Sequence, residues 1–144
     1  MTFRGSYDYS LDAKNRLNVP PRFRAAFSEG VVLLKWFEPC VAVYPTAAFE
    51  SFTEGMLAGL APLSPDRSKL TRFFAGNAYD SELDGAGRVT LGPPLINHAG
   101  IGKEVVVVGN LDRLEVWSRE AWAGQQEELS SQVAAIAEGL VHAS

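Results

Sequence analysis

The sequence predicts a mainly β fold with peripheral helices (α+β), in which two similar halves close a small barrel around a pseudo-twofold axis. Three observations carry that prediction. A short charged turn, LDAKNRLNVPPRF from Leu11, returns as LDGAGRVTLGPPL from Leu83. Strand-sized apolar runs follow each copy, and a helical pattern closes each copy. Halves with so few short strands make a poor core alone, whereas pairing them covers their exposed edges.

The repeat is regular. Asp12 aligns with Asp84, Arg16 with Arg88, Val19 with Leu91, Pro21 with Pro93 and Phe23 with Leu95, all at an offset of 72. VVLLKW from Val31 then matches VVVVGN from Val105, and VAVYPTAAF from Val41 matches LEVWSREAW from Leu114. The offset drifts by one or two residues, as small loop insertions produce. Such self-similarity governs the whole architecture. It divides the chain into a first repeat at residues 5–51, a helical connector at 52–80, a second repeat at 81–124 and a C-terminal helical extension at 125–144.

Within each repeat a short strand runs into a D-x-x-x-R turn, and RLNV or RVTL returns as a second strand with period-two alternation. Proline then stops the strand, because it has no N–H to give to a ladder. A short helical turn follows, PRFRAAF in one copy and PPLINHAG in the other. Two more strands come next, VVLLKWF with CVAVY and VVVVG with RLEVW, and Asn110 and Asp112 are the expected turn formers between the last pair. Thr46 is placed to cap a helix whose apolar face is Phe49, Phe52, Met56 and Leu60. Ser64-Pro65 opens another, carrying Leu70, Phe73 and Phe74 until Gly76 ends it. Ser118 caps a longer helix with a narrow seam of Trp122, Leu129, Val133, Ile136 and Leu140, suited to packing on another helix in this chain or a neighbouring subunit.

Composition narrows the functional classes. With 47% hydrophobic and 21% charged residues among 144, the chain is expected to fold. No apolar run approaches the roughly 18 residues that span a bilayer, and MTFRGSYDYSLD lacks the apolar core of a secretory signal, so cytoplasmic residence is expected. The net charge of −4 conceals a polarity: residues 1–24 carry five basic and two acidic side chains, residues 104–144 two basic and seven acidic. A local anion-binding face is compatible with an acidic total. Cys40, the lone cysteine, lies in the apolar run PCVAVY and reads as a buried thiol. His98 and His142 lack ligand company at metal spacing, so no metal, cofactor or small-molecule substrate is expected.

The repeated turn is where the chemistry concentrates. Its aspartate can accept hydrogen bonds from backbone amides further along the turn and fix the loop. Its arginine can project a planar fork to a phosphate or a guanine edge, or pair with the aspartate of its own or the partner turn. Pseudosymmetry would set both arginines on one face. Catalysis is not expected. The sequence holds no nucleophile elbow, phosphate loop, dinucleotide fingerprint or metal cluster. Asp12 and Asp84, each with an arginine four residues on, read as low-pKa structural carboxylates rather than a proton-sharing dyad.

The pattern D-x-K-x-R-L-x-V-P-x-R-F-R from Asp12 to Arg24, repeated as L-D-x-x-G-R-V-x-L from Leu83 to Leu91, resembles the MraZ family of bacterial transcriptional regulators. The resemblance spans almost the whole chain. It implies two AbrB-like swapped-hairpin half-domains, and a DNA-binding regulator of the division and cell-wall gene cluster acting on short direct repeats in its own promoter. It further implies nucleoid association and a homo-oligomeric ring of about eight subunits that presents the D-x-x-x-R turns to DNA. Carried onto this chain, Lys14, Arg16 and Arg88 would contact DNA, and Asp12, Asn15, Asp84 and Gly87 would shape the turns. The resemblance leaves Arg4, Arg22 and Arg24 open: each is a candidate for DNA or an intersubunit contact, and Arg22 and Arg24, in the short helical turn, equally for solvated surface.

Departures from the family pattern bear on the turns. Asn15 stands where the family has glycine, and asparagine tolerates the left-handed backbone better than most residues. In the second copy Gly92 replaces the strand-ending proline, and Gly85 and Gly87 flank Ala86 with no lysine, so a more pliable, more weakly binding turn is expected there. Two rivals remain: an oligomeric scaffold or protein-binding module without DNA contact, and an AbrB-like antitoxin, which would need a disordered tail in place of the helical C-terminal pattern.

Overall fold

The computed structural model describes residues 2–143; Met1, where the basic segment begins, and Ser144, the last residue of the expected extension, lie outside the described residues. The strands are β1 (Ser6–Ser10), β2 (Arg16–Asn18), β3 (Val31–Lys35), β4 (Val41–Pro45), β5 (Ala78–Ser81), β6 (Arg88–Thr90), β7 (Glu104–Asn110) and β8 (Arg113–Ser118). The helices are α1 (Thr46–Ala58), α2 (Pro65–Gly76), α3 (Pro93–Ala99) and α4 (Arg119–Ala143), with a 3-10 helix over Pro21–Phe27. The 3-10 helix and α3 are the two copies of one element, and both begin with proline, whose missing N–H costs nothing at a helix start.

Six strands form one antiparallel sheet in the order β1-β7-β8-β4-β3-β5, and β2 pairs with β6 in a separate ribbon. Exchanging β1 with β5, β3 with β7 and β4 with β8 leaves that order unchanged, so the pseudo-twofold axis passes between β4 and β8. The swap lies in the outer strands. β1 pairs with β7 of the other repeat, Ser6 opposite Val108 and Ser10 opposite Glu104. β5 pairs with β3, Ser81 opposite Val31 and Ala78 opposite Leu34. The hydrogen-bond ladder therefore runs in two pieces. The expected closed barrel is not continuous in its ladder; the ribbon instead shares one core with the large sheet, with Leu17, Val19, Val89 and Leu91 buried in the same cluster as Val31, Leu33, Val43, Val105, Val107 and Val116.

A second core lies on the outer face of the large sheet. There Val32, Leu34, Ala42, Tyr44, Val106, Val108 and Trp117 meet Phe74 and the half-buried Phe49, Phe52, Leu70 and Trp122. Both faces are covered, which explains why β3, β4 and β7 are almost continuously apolar despite their period-two geometry. Cys40 is fully buried here, and burial pushes its thiol far up from its ordinary range, leaving it an inert hydrophobe. Glu115 is also buried, at 4% exposure. It accepts hydrogen bonds from Arg113, Asn110 and Trp117, while the Arg113 guanidinium stacks 4.2 Å from the Trp36 ring centroid. Burial opposes the charge on Arg113, and Glu115 with Tyr44 more than offsets it, so its pKa is raised.

Two details of α1 depart from expectation. Thr46 is the first residue of α1 and caps nothing with its side chain; the strand ends at Pro45, which occupies the cap position. Met56 is 41% exposed and Leu60 lies beyond the helix end, so the core-facing side of α1 narrows to Phe49 and Phe52 with Ala48. On α4, Trp122 packs on Trp117, and Leu129, Val133, Ile136 and Leu140 are 41–69% exposed, without cover among the described residues. The other caps form as the sequence implies: Ser64 Oγ accepts from the Arg67 N–H, and Ser118 Oγ from the Ala121 N–H.

Candidate nucleic-acid interface

Each D-x-x-x-R turn is organised by one carboxylate. In the first, Asp12 Oδ1 accepts from the backbone N–H groups of Lys14 and Arg16, both at 2.9 Å. Asp12 Oδ2 accepts from Arg16 Nε at 2.6 Å. The backbone closes the loop, with the Asn15 N–H bonded to the Asp12 carbonyl and the Asp12 N–H to the Arg16 carbonyl. In the second turn Asp84 repeats every contact, taking Ala86 and Arg88 N–H at 2.9 Å and Arg88 Nε at 2.8 Å. The fourth position of each turn needs a left-handed backbone, φ 57° at Asn15 and 77° at Gly87.

The arginine therefore pairs with its own aspartate, one of the arrangements open at the sequence level, but through Nε. The terminal nitrogens of Arg16 and Arg88 form the outer end of the fork, on side chains 29% and 30% exposed. Arg88 Nη1 also lies 4.0 Å from Asp12 Oδ2, so the two turns stand side by side.

Two backbone hydrogen bonds lock that pair across the axis. The Val19 N–H donates to the Gly87 carbonyl at 3.0 Å, and the Leu91 N–H to the Asn15 carbonyl at 2.9 Å. Each turn is thus held by the strand end of the other repeat. The sequence carries no sign of these bonds, because donor and acceptor are about seventy residues apart and meet only through the β2–β6 pairing.

Electrostatics follow the geometry. The Arg16 backbone N–H, with the Arg16 side chain and the Lys14 N–H, outweighs the opposing effect of burial and holds the Asp12 carboxyl at about 2, below its ordinary 3.8. Asp84 is lowered by the matching set, led by the Arg88 backbone N–H. Both aspartates are anions that stiffen their loops.

The remaining basic residues divide. Lys14 is exposed at the tip of the first turn, and its ammonium has no partner among the described residues; Ala86 takes its place in the second. Arg22 lies along Tyr7, with Nη1 3.4 Å from the hydroxyl and the guanidinium 6.0 Å from the ring centroid. Arg4 is exposed just before the start of β1, where its carbonyl accepts from the Tyr7 hydroxyl. Arg24 is half-buried, and its Nε donates to the Val19 carbonyl at 2.9 Å. Among the described residues, no cluster of three or more His, Cys, Asp or Glu side chains is placed to hold a metal ion, and no helix is long and apolar enough to cross a membrane.

A tandem swapped-hairpin fold with paired acidic–basic turns side by side defines the class of this protein. The family model for MraZ protein, described as antitoxin-like, matches residues 2–61 and 74–142. The chain is 36% identical over 138 residues to the transcriptional regulator MraZ of Lactobacillus delbrueckii subsp. bulgaricus, covering 96% of both chains. It is 36% identical to the transcriptional regulator MraZ of Sodalis glossinidius and 35% identical to that of Escherichia coli K12, in each case over 88% of this chain and 86% of the relative. The chain belongs to the MraZ family.

Proposed function

We propose that this chain is a sequence-specific DNA-binding transcriptional regulator of the division and cell-wall gene cluster. It binds short direct repeats in its own promoter through the two D-x-x-x-R turns, which a homo-oligomeric ring of about eight subunits presents along the duplex. The carrying observation is the pair of turns themselves: the same hydrogen bonds, side by side, each aspartate holding Nε of an arginine and leaving terminal nitrogens of its fork to reach outward. The names borne by the relatives, transcriptional regulators, support the same reading.

In this mechanism Arg16 and Arg88 reach guanine edges or phosphates, Lys14 adds a phosphate contact, and Asp12, Asn15, Asp84 and Gly87 fix the loops. Pre-tethering each arginine lowers the entropy lost when DNA binds, since the side chain is already ordered. A single chain with three such cations and a net charge of −4 binds weakly, because each phosphate contact adds only modest counterion release. A ring matched to direct repeats would add avidity of roughly 10²–10⁴. The exposed seam of α4 supplies apolar surface for assembly. Such a protein acts in the cytoplasm on the nucleoid.

The deciding experiment replaces Arg16 and Arg88 by alanine, then measures affinity for the gene's upstream duplex and oligomeric state separately. Lost binding with assembly intact supports DNA recognition. Unchanged affinity favours the rival reading, an oligomeric scaffold without DNA contact.

A further inference from the structure

We infer that Arg24 is a positioning residue: it clamps the second turn from the opposite repeat and makes the geometry of Arg88 depend on the first repeat. The inference rests on the DNA-binding reading for its functional consequence, and on geometry alone for the clamp.

Three contacts close a small circuit. The Gly87 carbonyl accepts from the Val19 N–H, the Val19 carbonyl accepts from Arg24 Nε, and the Arg24 side chain then lies over the Cα of Gly87. A Cβ built on Gly87 would collide with Nε, Cδ and Cζ of Arg24. The glycine at this position therefore meets two demands, a φ of 77° and an absent side chain. Gly87 lies directly before Arg88, so whatever fixes its backbone aims the arginine that follows.

The first turn is held differently. Seventy-two positions on from Arg24 stands Ile96, which packs on the apolar core and has no donor to offer the Leu91 carbonyl. There the left-handed residue is Asn15, which has a side chain of its own. One turn is stiffened by an asparagine, whose backbone has less freedom than glycine; the other keeps a glycine and is stiffened by an arginine laid across it. This offsets the pliability that Gly85 and Gly87 would otherwise confer.

A double-mutant cycle tests the clamp without DNA. Gly87→Asn should lower the Tm in the wild-type background by colliding with Arg24. In the Arg24→Ile background, which copies the first turn, most of that loss should be recovered. Equal losses in both backgrounds overturn the clamp; should Arg24→Ile unfold the chain, Arg24→Ala, which also removes the colliding atoms, carries the same cycle. On the gene's upstream duplex, Arg24→Ile should weaken binding about tenfold, the size typical of coupling between neighbouring residues. The slope of log K against log salt should stay unchanged, whereas a slope shallower by about 0.9 would make Arg24 a phosphate contact and overturn its positioning role. Failure of the wild-type chain to bind the duplex sinks the DNA reading alone, because the stability cycle still decides the clamp.

Discussion

The two turns share a carboxylate, an arginine and a closed hydrogen-bond pattern, yet they differ at every position that is free to differ. The first carries Lys14 at its tip and Asn15 in the left-handed site; the second carries Ala86 and Gly87. The shared residues make the loop. The differing ones set how much charge it offers and how it is stiffened, and the second turn draws that stiffness from the other repeat. Duplication preserved the scaffold of the motif and released its decoration.

The largest effect that probes this comparison is removal of both arginines. Arg16→Ala with Arg88→Ala should reduce affinity for the upstream duplex by at least about 100-fold, on the scale of 1–3 kcal/mol per specific contact, as read by fluorescence anisotropy. Taken singly, Arg16→Ala should cost more than Arg88→Ala; equal costs would make the turns functionally equivalent. Next in size, Lys14→Ala should weaken binding across all DNA sequences and make the salt slope shallower by about 0.9 per chain engaged. The reciprocal change, Ala86→Lys, should steepen the slope by about the same amount and bring the second turn up to the first. No change in slope would mean that the tip of the second turn does not face the backbone.

The smallest effect is a titration. Asp12 and Asp84 are both depressed in the folded state, Asp12 from 3.8 to about 2. A group depressed on folding stabilises the fold above its unfolded pKa and loses that contribution as pH falls through the folded one. The turns should thus hold at pH 5 and loosen between about pH 4 and pH 2. Carboxyl NMR shifts should show Asp12 titrating near the bottom of that window. An ordinary value for either aspartate would mean that its amide hydrogen bonds do not persist in solution.

Much of this fold is legible in the sequence because its signals are local or repeated. The offset of 72 located both turns, and the Ser64-Pro65 and Ser118 starts rest on hydrogen bonds within three residues. The tolerance of Asn15 for a left-handed backbone follows from its chemistry alone. What escaped depends on distant partners. The left-handed residue of the β7–β8 hairpin is Leu111, neither Asn110 nor Asp112, since two backbone hydrogen bonds to Phe3 pin it there. Arg24 has no local signature either, because its partner in the second turn lies more than sixty residues away.

The strand exchange also sets a timetable for the nascent chain. β1 leaves the ribosome first, but its partner β7 begins only at Glu104 and pairs Ser6 with Val108. At about 5–20 residues per second the opening strand waits several seconds with its edges bare, and such distant pairing is intrinsically slow. The β3–β4 hairpin, whose strands are five residues apart, can form long before. The first repeat therefore emerges half-assembled, and the second completes it. Arresting synthesis between the repeats should leave a protease-sensitive N-terminal strand beside an already ordered hairpin.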